Sequence, residues 1–431
     1  MSWQPTAALL RVSVLPAGLA LVAVLFRQPD LLVLAAPLAL AAVPLSTRPR
    51  SRPRASARLD AESVLEDAEL RLTVQVDDAA GAQTAALAVA TPGGVRPRTG
   101  SGASATVRSG PGGRTAVAVD LVAARWGWSD VGPATAVLSA CGGLLRADLP
   151  VPPQRVRVLP LSARYRGAAL LPRARGNVGL HRSRLAGEGT DLAGVRPFQP
   201  GDRIRRVNWR TSVGPGGLTG DRLQVNATTT ERDAEVLVLL DARYAAGAGP
   251  VTGLDLAARA TAAVCAFYLE LGDRVGLVTY TTGVRVLPAR VGRGQLERVF
   301  TALLETAVPR SGGPEPSLTP PAGLDPRALV LVVSPLVGRQ VFAQAAALGR
   351  AGHTVVVIDT LPPGIRPEDT FPDGPSPWTS AVARLWVLER DTRIGTMRSV
   401  GVPVVPWRGA GSLDAVLAEL IRAAGRPGVR R

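Results

Sequence analysis

Two apolar runs open the chain. Residues 8–26, "ALLRVSVLPAGLALVAVLF", and residues 31–45, "LLVLAAPLALAAVPL", are apolar all round, with only "RQPD" between them. A surface helix of a globular protein keeps one polar face, so the pattern predicts a transmembrane helical hairpin over residues 1–47. The second run rises about 23 Å as a helix against about 30 Å of hydrocarbon. It is expected to borrow Ser46 and Thr47 or to thin the bilayer. Arg11 lies close enough to one end to snorkel. No basic region precedes the first run, which argues against a signal peptide. The alternative is a pair of buried core helices.

From about 59 to 158 the pattern changes to period two. "LRLTVQV" puts Leu70, Leu72, Val74 and Val76 on one face, and "TAVAVDLV" does the same with Val117, Val119 and Leu121. Gly- and Pro-rich turns separate such runs, which predicts a small β-sandwich. Trp126 and Trp128 are read as packing residues, with a ligand platform as the alternative. An arginine-rich segment follows over 159–231.

From 232 to 431 the period alternates between strand and helix. "EVLVLLDA" is continuously apolar, as a strand buried on both faces should be. Thr252 and Asp255 have capping-box spacing ahead of the next helix. Strands "RVGLVTYT" and "VRVLPA", helix "QLERVFTALLETA", strand "ALVLVVSPL", helix "GRQVFAQAAALGRAG" and strand "TVVVIDTL" come next. A helix through "AVARLWVLER", strand "VPVVPW" and helix "SLDAVLAELIRAA" complete the series. This order predicts an α/β class, doubly wound around a mostly parallel sheet. Ligands of such sheets sit beyond the carboxyl ends of the strands. The first strand ends in Asp241, and no glycine-rich phosphate loop follows it.

Charge changes the picture in two places. The net charge is +16, yet the chain has no lysine, and all 50 basic residues are arginine. With abundant Ala, Gly and Pro, that is the composition of a GC-rich coding sequence, and nucleic-acid binding is not expected. The second place is "TRPRSRPRASAR" (47–58), five arginines just past the second apolar run. By the positive-inside rule both termini, and the bulk of the chain, are expected on the cytoplasmic side. Cys141 and Cys265 lie far apart and fit a reducing compartment. No zinc ligand set and no nucleophile–base pair can be assembled around His181 or His353. No enzyme activity and no cofactor are therefore expected, with an unrecognised hydrolase and a nucleic-acid-binding membrane protein kept as alternatives.

The densest passage is "GVRPFQPGDRIRRVNWRTS" (194–212), with Arg196, Arg203, Arg205, Arg206 and Arg210 around a Pro-Gly-Asp turn and Trp209. One reading is structural: Asp202 holds the loop, Trp209 and Arg205 pack, and the arginines pair locally. The other is a docking surface for an acidic partner through Arg203, Arg206 and Arg210. In an extended stretch Arg205 and Trp209 would face away from Arg206 and Asn208.

This passage resembles the bacterial family called domain of unknown function 58. The resemblance rests on Pro200, Gly201, Asp202, Arg205, Arg206, Asn208 and Trp209, then a strand ending in Asp241. It implies a von Willebrand factor A-like C-terminal domain and membrane anchoring. It also implies a neighbourhood with MoxR-type AAA+ ATPases in envelope-related assembly, so the protein is expected to be an interaction or adaptor protein. The von Willebrand A fold often binds a divalent ion through Asp-x-Ser-x-Ser and a second Asp. Here the motif reads Asp241-Ala242-Arg243-Tyr244-Ala245, and Ser334-Pro335 stands where the second Asp would fall. The site at Asp241 is thus degenerate: no metal is expected, and Arg243 is expected to take the charge role of the ion and pair with Asp241.

Overall fold

The computed structural model describes residues 3–43, 45, 48–91, 93–98, 104–108, 113–160, 185–187, 191–199, 204, 207–214, 217–218, 223–230, 235–247, 251–306, 324, 328–363, 365, 377–409 and 411–424. The chain forms two compact units, Met1–Ser162 and Ala163–Arg431.

The first unit holds the apolar N-terminus. Helix α1, Ala7–Leu25, is long and apolar enough to cross a membrane. Helix α2, Asp30–Leu40, has only 11 residues, a rise of about 16 Å. Of the two spanning helices expected, one reaches spanning length: in the second apolar run the regular helix stops at Leu40.

The β-rich part of this unit is larger than the period-two pattern suggested. A four-stranded sheet runs in the order Arg54–Leu59, Glu69–Asp77, Thr115–Ala123, Val95–Pro97, and a five-stranded sheet runs Gln4–Pro5, Leu145–Val151, Ala134–Ala140, Thr84–Val89, Ser104–Arg108. Leu70, Leu72, Val74, Val76, Val117, Val119 and Leu121 all reach one buried core, shared with Leu87, Leu138 and Leu149 of the other sheet. Each strand alternates inward and outward: along Glu69–Asp77, Leu70, Leu72, Val74 and Val76 are buried and the residues between them are not, which is what period two dictates for a sheet with one wet face.

The sequence reading missed the residues before α1. Gln4 and Pro5 pair antiparallel with Arg146 and Leu145, and Trp3 is buried in the same core. The Thr6 hydroxyl donates to the Gly143 and Leu144 carbonyls at 2.8 and 3.1 Å. Leu9, Val12 and Leu45 pack against this core too, so both ends of the apolar hairpin are rooted in the β-structure.

The second unit contains a six-stranded sheet. Its strands are β1 Glu235–Asp241, β2 Arg274–Tyr280, β3 Val284–Arg290, β4 Leu329–Ser334, β5 Thr354–Asp359 and β6 Val404–Pro406. They lie in the order β3-β2-β1-β4-β5-β6. Every pair is parallel except β2–β3, which makes β3 an antiparallel edge. Helix α3 Gly253–Glu270 packs with both α4 Arg293–Leu304 and α7 Ser412–Ala424, while α5 Arg339–Arg350 packs with α6 Pro377–Ser399. Leu237, Leu239, Val330, Val332, Val355 and Val357 meet Val341, Phe342, Ala345, Ile394 and Met397 from α5 and α6. The helices therefore cover the sheet in two layers, which is why β1, β4 and β5 read as unbroken apolar runs. The capping box at α3 forms: the Thr252 side chain accepts from Asp255 N, and Asp255 accepts from Thr252 N at 2.8 Å.

Candidate functional site: the carboxyl edge of the parallel sheet

Strands β1 and β4 are neighbours, and the chain leaves them for opposite layers, which makes their carboxyl ends the switch point of the sheet. Asp241 ends β1 and Ser334 ends β4. The Asp241 carboxylate accepts from Arg243 Nε at 2.7 Å and Nη2 at 3.1 Å, and from Ser334 Oγ at 2.8 Å. The Arg243 backbone N–H adds a weaker bond at 3.4 Å. The two charged side chains are 0% and 3% exposed. The pairing expected of Arg243 is present, and the guanidinium grips both carboxylate oxygens.

The loops around this pair are tightly closed. Arg243 Nη1 reaches Gln340 Oε1 of α5 at 3.3 Å, and its guanidinium lies 5.4 Å from the centre of the Tyr244 ring. Tyr244 rests on Gly338, where a Cβ would fall 2.8 Å from the tyrosine oxygen. Ser334 Oγ also accepts from Leu336 N at 3.0 Å. Tyr280, which ends β2, is pushed up to about 12, mainly by burial, with Arg243 opposing and Asp241 reinforcing the shift.

A second buried pair sits at the end of β5. Arg390 of α6 donates from Nη2 to Asp359 Oδ1 at 2.6 Å, with side chains 10% and 7% exposed. The same oxygen accepts from Leu361 N at 3.0 Å. Three consecutive strand ends thus carry Asp241, Ser334 and Asp359, and each carboxylate has its own arginine. The sequence reading found the first pair and missed the second. Asp359 ends "TVVVID" just as Asp241 ends "EVLVLLD", a signal that could have been used; nothing local marked Arg390, 31 residues further on.

This arrangement does not suit a divalent ion. Mg²⁺ needs about six oxygens in an octahedron, whereas the Asp241 oxygens are already committed to a guanidinium and a hydroxyl. A cation would have to expel Arg243 first. Among the described residues, no three His, Cys, Asp or Glu side chains cluster. Chemically, the edge is a neutralised, hydrogen-bonded surface that holds three loops in fixed positions.

The arginine-rich signature is only partly visible. Pro200, Gly201, Asp202, Arg203, Arg205 and Arg206 lie outside the described residues, as does the side chain of Arg196. Asn208 is well fixed: its Nδ2 donates to Asn226 Oδ1 at 2.7 Å and its Oδ1 accepts from Thr211 N at 3.2 Å. It begins a helical turn, Trp209–Ser212, so the alternation expected of an extended chain fails there. Trp209 is 56% exposed, and its expected role in packing on the sheet is corrected. Asn208 captures the turn's N–H, and the helical turn carries Trp209 outward. Arg210, a docking candidate, is exposed.

Elsewhere, Trp128 is half-exposed, with Arg155 4.5 Å above its ring. Cys141 and Cys265 are free, buried and in different units. Burial pushes the Cys265 thiol up to about 12.

Comparison with solved structures gives distant likenesses. A crystal structure of alpha-2-macroglobulin from Escherichia coli, spanning domain MG7 to the C-terminus, is 21% identical over 25% of this chain and 17% of its own, with a TM-score of 0.21. The complex of Zinc 2-glycoprotein and Prolactin inducible protein from human seminal plasma is 10% identical over 26% of this chain and 98% of its own, with a TM-score of 0.19. An uncharacterised membrane-spanning protein from Vibrio fischeri is 15% identical over 45% of this chain and 98% of its own, with a TM-score of 0.14. No inference about fold or function follows from likenesses of this degree. No curated protein matches the chain. Residues 194–365, from the arginine-rich passage through β5, match the model of the family described as "Protein of unknown function DUF58", which supports the family that the Pro-Gly-Asp and Asn-Trp motifs point to.

Proposed function

We propose that the protein is a membrane-anchored interaction protein that works without a divalent ion. Its C-terminal domain is a von Willebrand A-like module in which Arg243 takes the place of the metal. One observation carries this reading: the buried Asp241–Arg243–Ser334 knot at the switch point, on a sheet of order 3-2-1-4-5-6 with an antiparallel edge. A divalent-ion site at this position would be complete only while the ion is bound. A built-in guanidinium instead keeps the edge permanently assembled, which suits a constitutive scaffold. Helix α1, with the returning segment 30–45, anchors the chain in the membrane, and the arginines at 48–58 keep the bulk of it on the cytoplasmic side. The partner is a MoxR-type AAA+ ATPase acting in assembly or maturation of envelope-related complexes, as the resemblance of the signature segment implies. Exposed Trp209 and Arg210 are of the residue types enriched at interface hot spots. Capture of the full chain from cross-linked native membranes tests this: an AAA+ ATPase is expected among the retained proteins. Retention of nucleic acid in its place would overturn the proposal.

A further inference from the structure

Residues 48–58, which read as a plain basic run in the sequence, are built as a rail. From Arg48 onward every odd position turns towards the β-structure and every even position turns out. Pro49 lies against Gly81, where a Cβ would fall 2.9 Å from it. The Ser51 hydroxyl donates to the Ala80 carbonyl at 3.0 Å. Pro53 is buried, and Ala55, Ala57 and Leu59 pack on the sandwich core. The outward positions are Arg48, Arg50, Arg52, Arg54, Ser56 and Arg58, all exposed.

Among the described residues none of these five arginines makes an ion pair. Asp77, which lies opposite Arg54 in the strand register, is engaged by Arg114 at 3.2 Å. Successive outward arginines on an extended chain stand about 6.6 Å apart. Two prolines fix the backbone between them, and the contacts of Pro49, Ser51 and Pro53 hold it against the domain. A solvated basic tail needs none of this. Preorganised cations lose little freedom when they bind, and arginine forks match phosphate oxygens in pairs. The rail starts three residues after Leu45, the end of the second apolar run and itself packed on the sandwich core, so on the membrane reading its first arginines stand where the hairpin meets the bilayer surface.

We infer that Arg48, Arg50 and Arg52 form a binding site for the phosphate headgroups of anionic phospholipids, continued by Arg54 and Arg58. The inference rests on the membrane reading above. Its occupant is lipid rather than nucleic acid, because the same β-structure roots the rail and both ends of the apolar hairpin.

The test uses the full chain in mild detergent, titrated with short-chain phosphatidylglycerol or phosphatidylcholine, with inorganic phosphate and duplex DNA as competitors. An arginine held at an anionic surface is worth about fivefold in affinity. R48Q/R50Q/R52Q is therefore expected to weaken phosphatidylglycerol binding roughly a hundredfold at low salt and to flatten its salt dependence. P49A/P53A keeps every charge but loosens the rail, and is expected to weaken binding severalfold. Phosphatidylcholine should bind weakly to all three proteins. Unchanged phosphatidylglycerol binding by the triple variant overturns the inference, as does equal binding of the two lipids. Displacement by millimolar phosphate or by DNA at matched phosphate concentration overturns it as well. A parallel flotation assay separates the two claims. Insertion of every variant into phosphatidylcholine vesicles, with no effect on headgroup binding, sinks the rail alone. Failure of the parent to insert into any vesicle sinks the membrane reading with it.

Discussion

Replacing Arg243 by Met is the sharpest perturbation of the candidate site. Met keeps much of the length and packing of the side chain but removes both bonds to Asp241, at 2.7 and 3.1 Å. The carboxylate it leaves is fully buried and keeps only Ser334 and the long backbone contact. An uncompensated buried charge of this kind costs about 3–5 kcal/mol. For a domain of this size a kilocalorie moves the melting temperature by roughly 2–4 °C, so R243M should lower the domain's transition by roughly 6–20 °C. D241N/R243M removes both charges and should recover much of the loss, because a buried pair replaced as a whole is often nearly neutral. The assay is a melting curve for the parent, R243M, D241N and the double variant, analysed as a cycle. If R243M melts within 2 °C of the parent, or if the double variant is as unstable as the sum of the singles, the pair does not hold the edge together.

Three further outcomes are expected. Trp209→Ala should change stability by less than about 1 kcal/mol, as an exposed position without special features does; a loss of 3 kcal/mol by denaturant titration would return Trp209 to the core. Cys265, held protonated to about 12, should resist iodoacetamide at pH 8 in the folded chain and react once it is denatured, and equal rates by mass spectrometry would contradict its burial. Stability should also fall as pH rises above about 9: the unfolded thiol and phenol ionise near their ordinary values of 9.0 and 10.0, while Cys265 and Tyr280 keep their protons to about 12 in the fold. The native state then binds the more protons, so the slope of stability against pH is negative; a melting temperature constant between pH 8 and 10.5 would refute it.

The C-terminal sheet was legible because each signal was local and strong. A strand buried on both faces must be apolar throughout, and Glu235–Asp241, Leu329–Ser334 and Thr354–Asp359 are. The Thr252–Asp255 spacing and the Asp241–Arg243 pair are also short-range, and both are present. The unread parts depend on distant residues. Gln4 and Pro5 have no strand signature; only the free edge at Leu145 and Arg146 recruits them. Arg54–Leu59 hides because its inward residues are mostly alanine and its outward ones arginine, so it reads as a charged linker. The second apolar run was read by composition, which does not register where a helix ends, here at Leu40. Arg390 meets Asp359 only because α6 crosses the sheet edge there. Trp209 was misread because a large aromatic is core by default, and Asn208 starts a helical turn that carries it outward.

The claim that a guanidinium fills the cation's place is tested most directly by titrating the parent protein with Mg²⁺ and with Mn²⁺ while its melting temperature is followed. With both Asp241 oxygens held by Arg243 and Ser334, neither ion should produce a saturable rise at millimolar concentration. A saturable stabilisation by either ion, lost in D241N, would mean that Arg243 yields the carboxylate to metal and that the edge is an ion site after all.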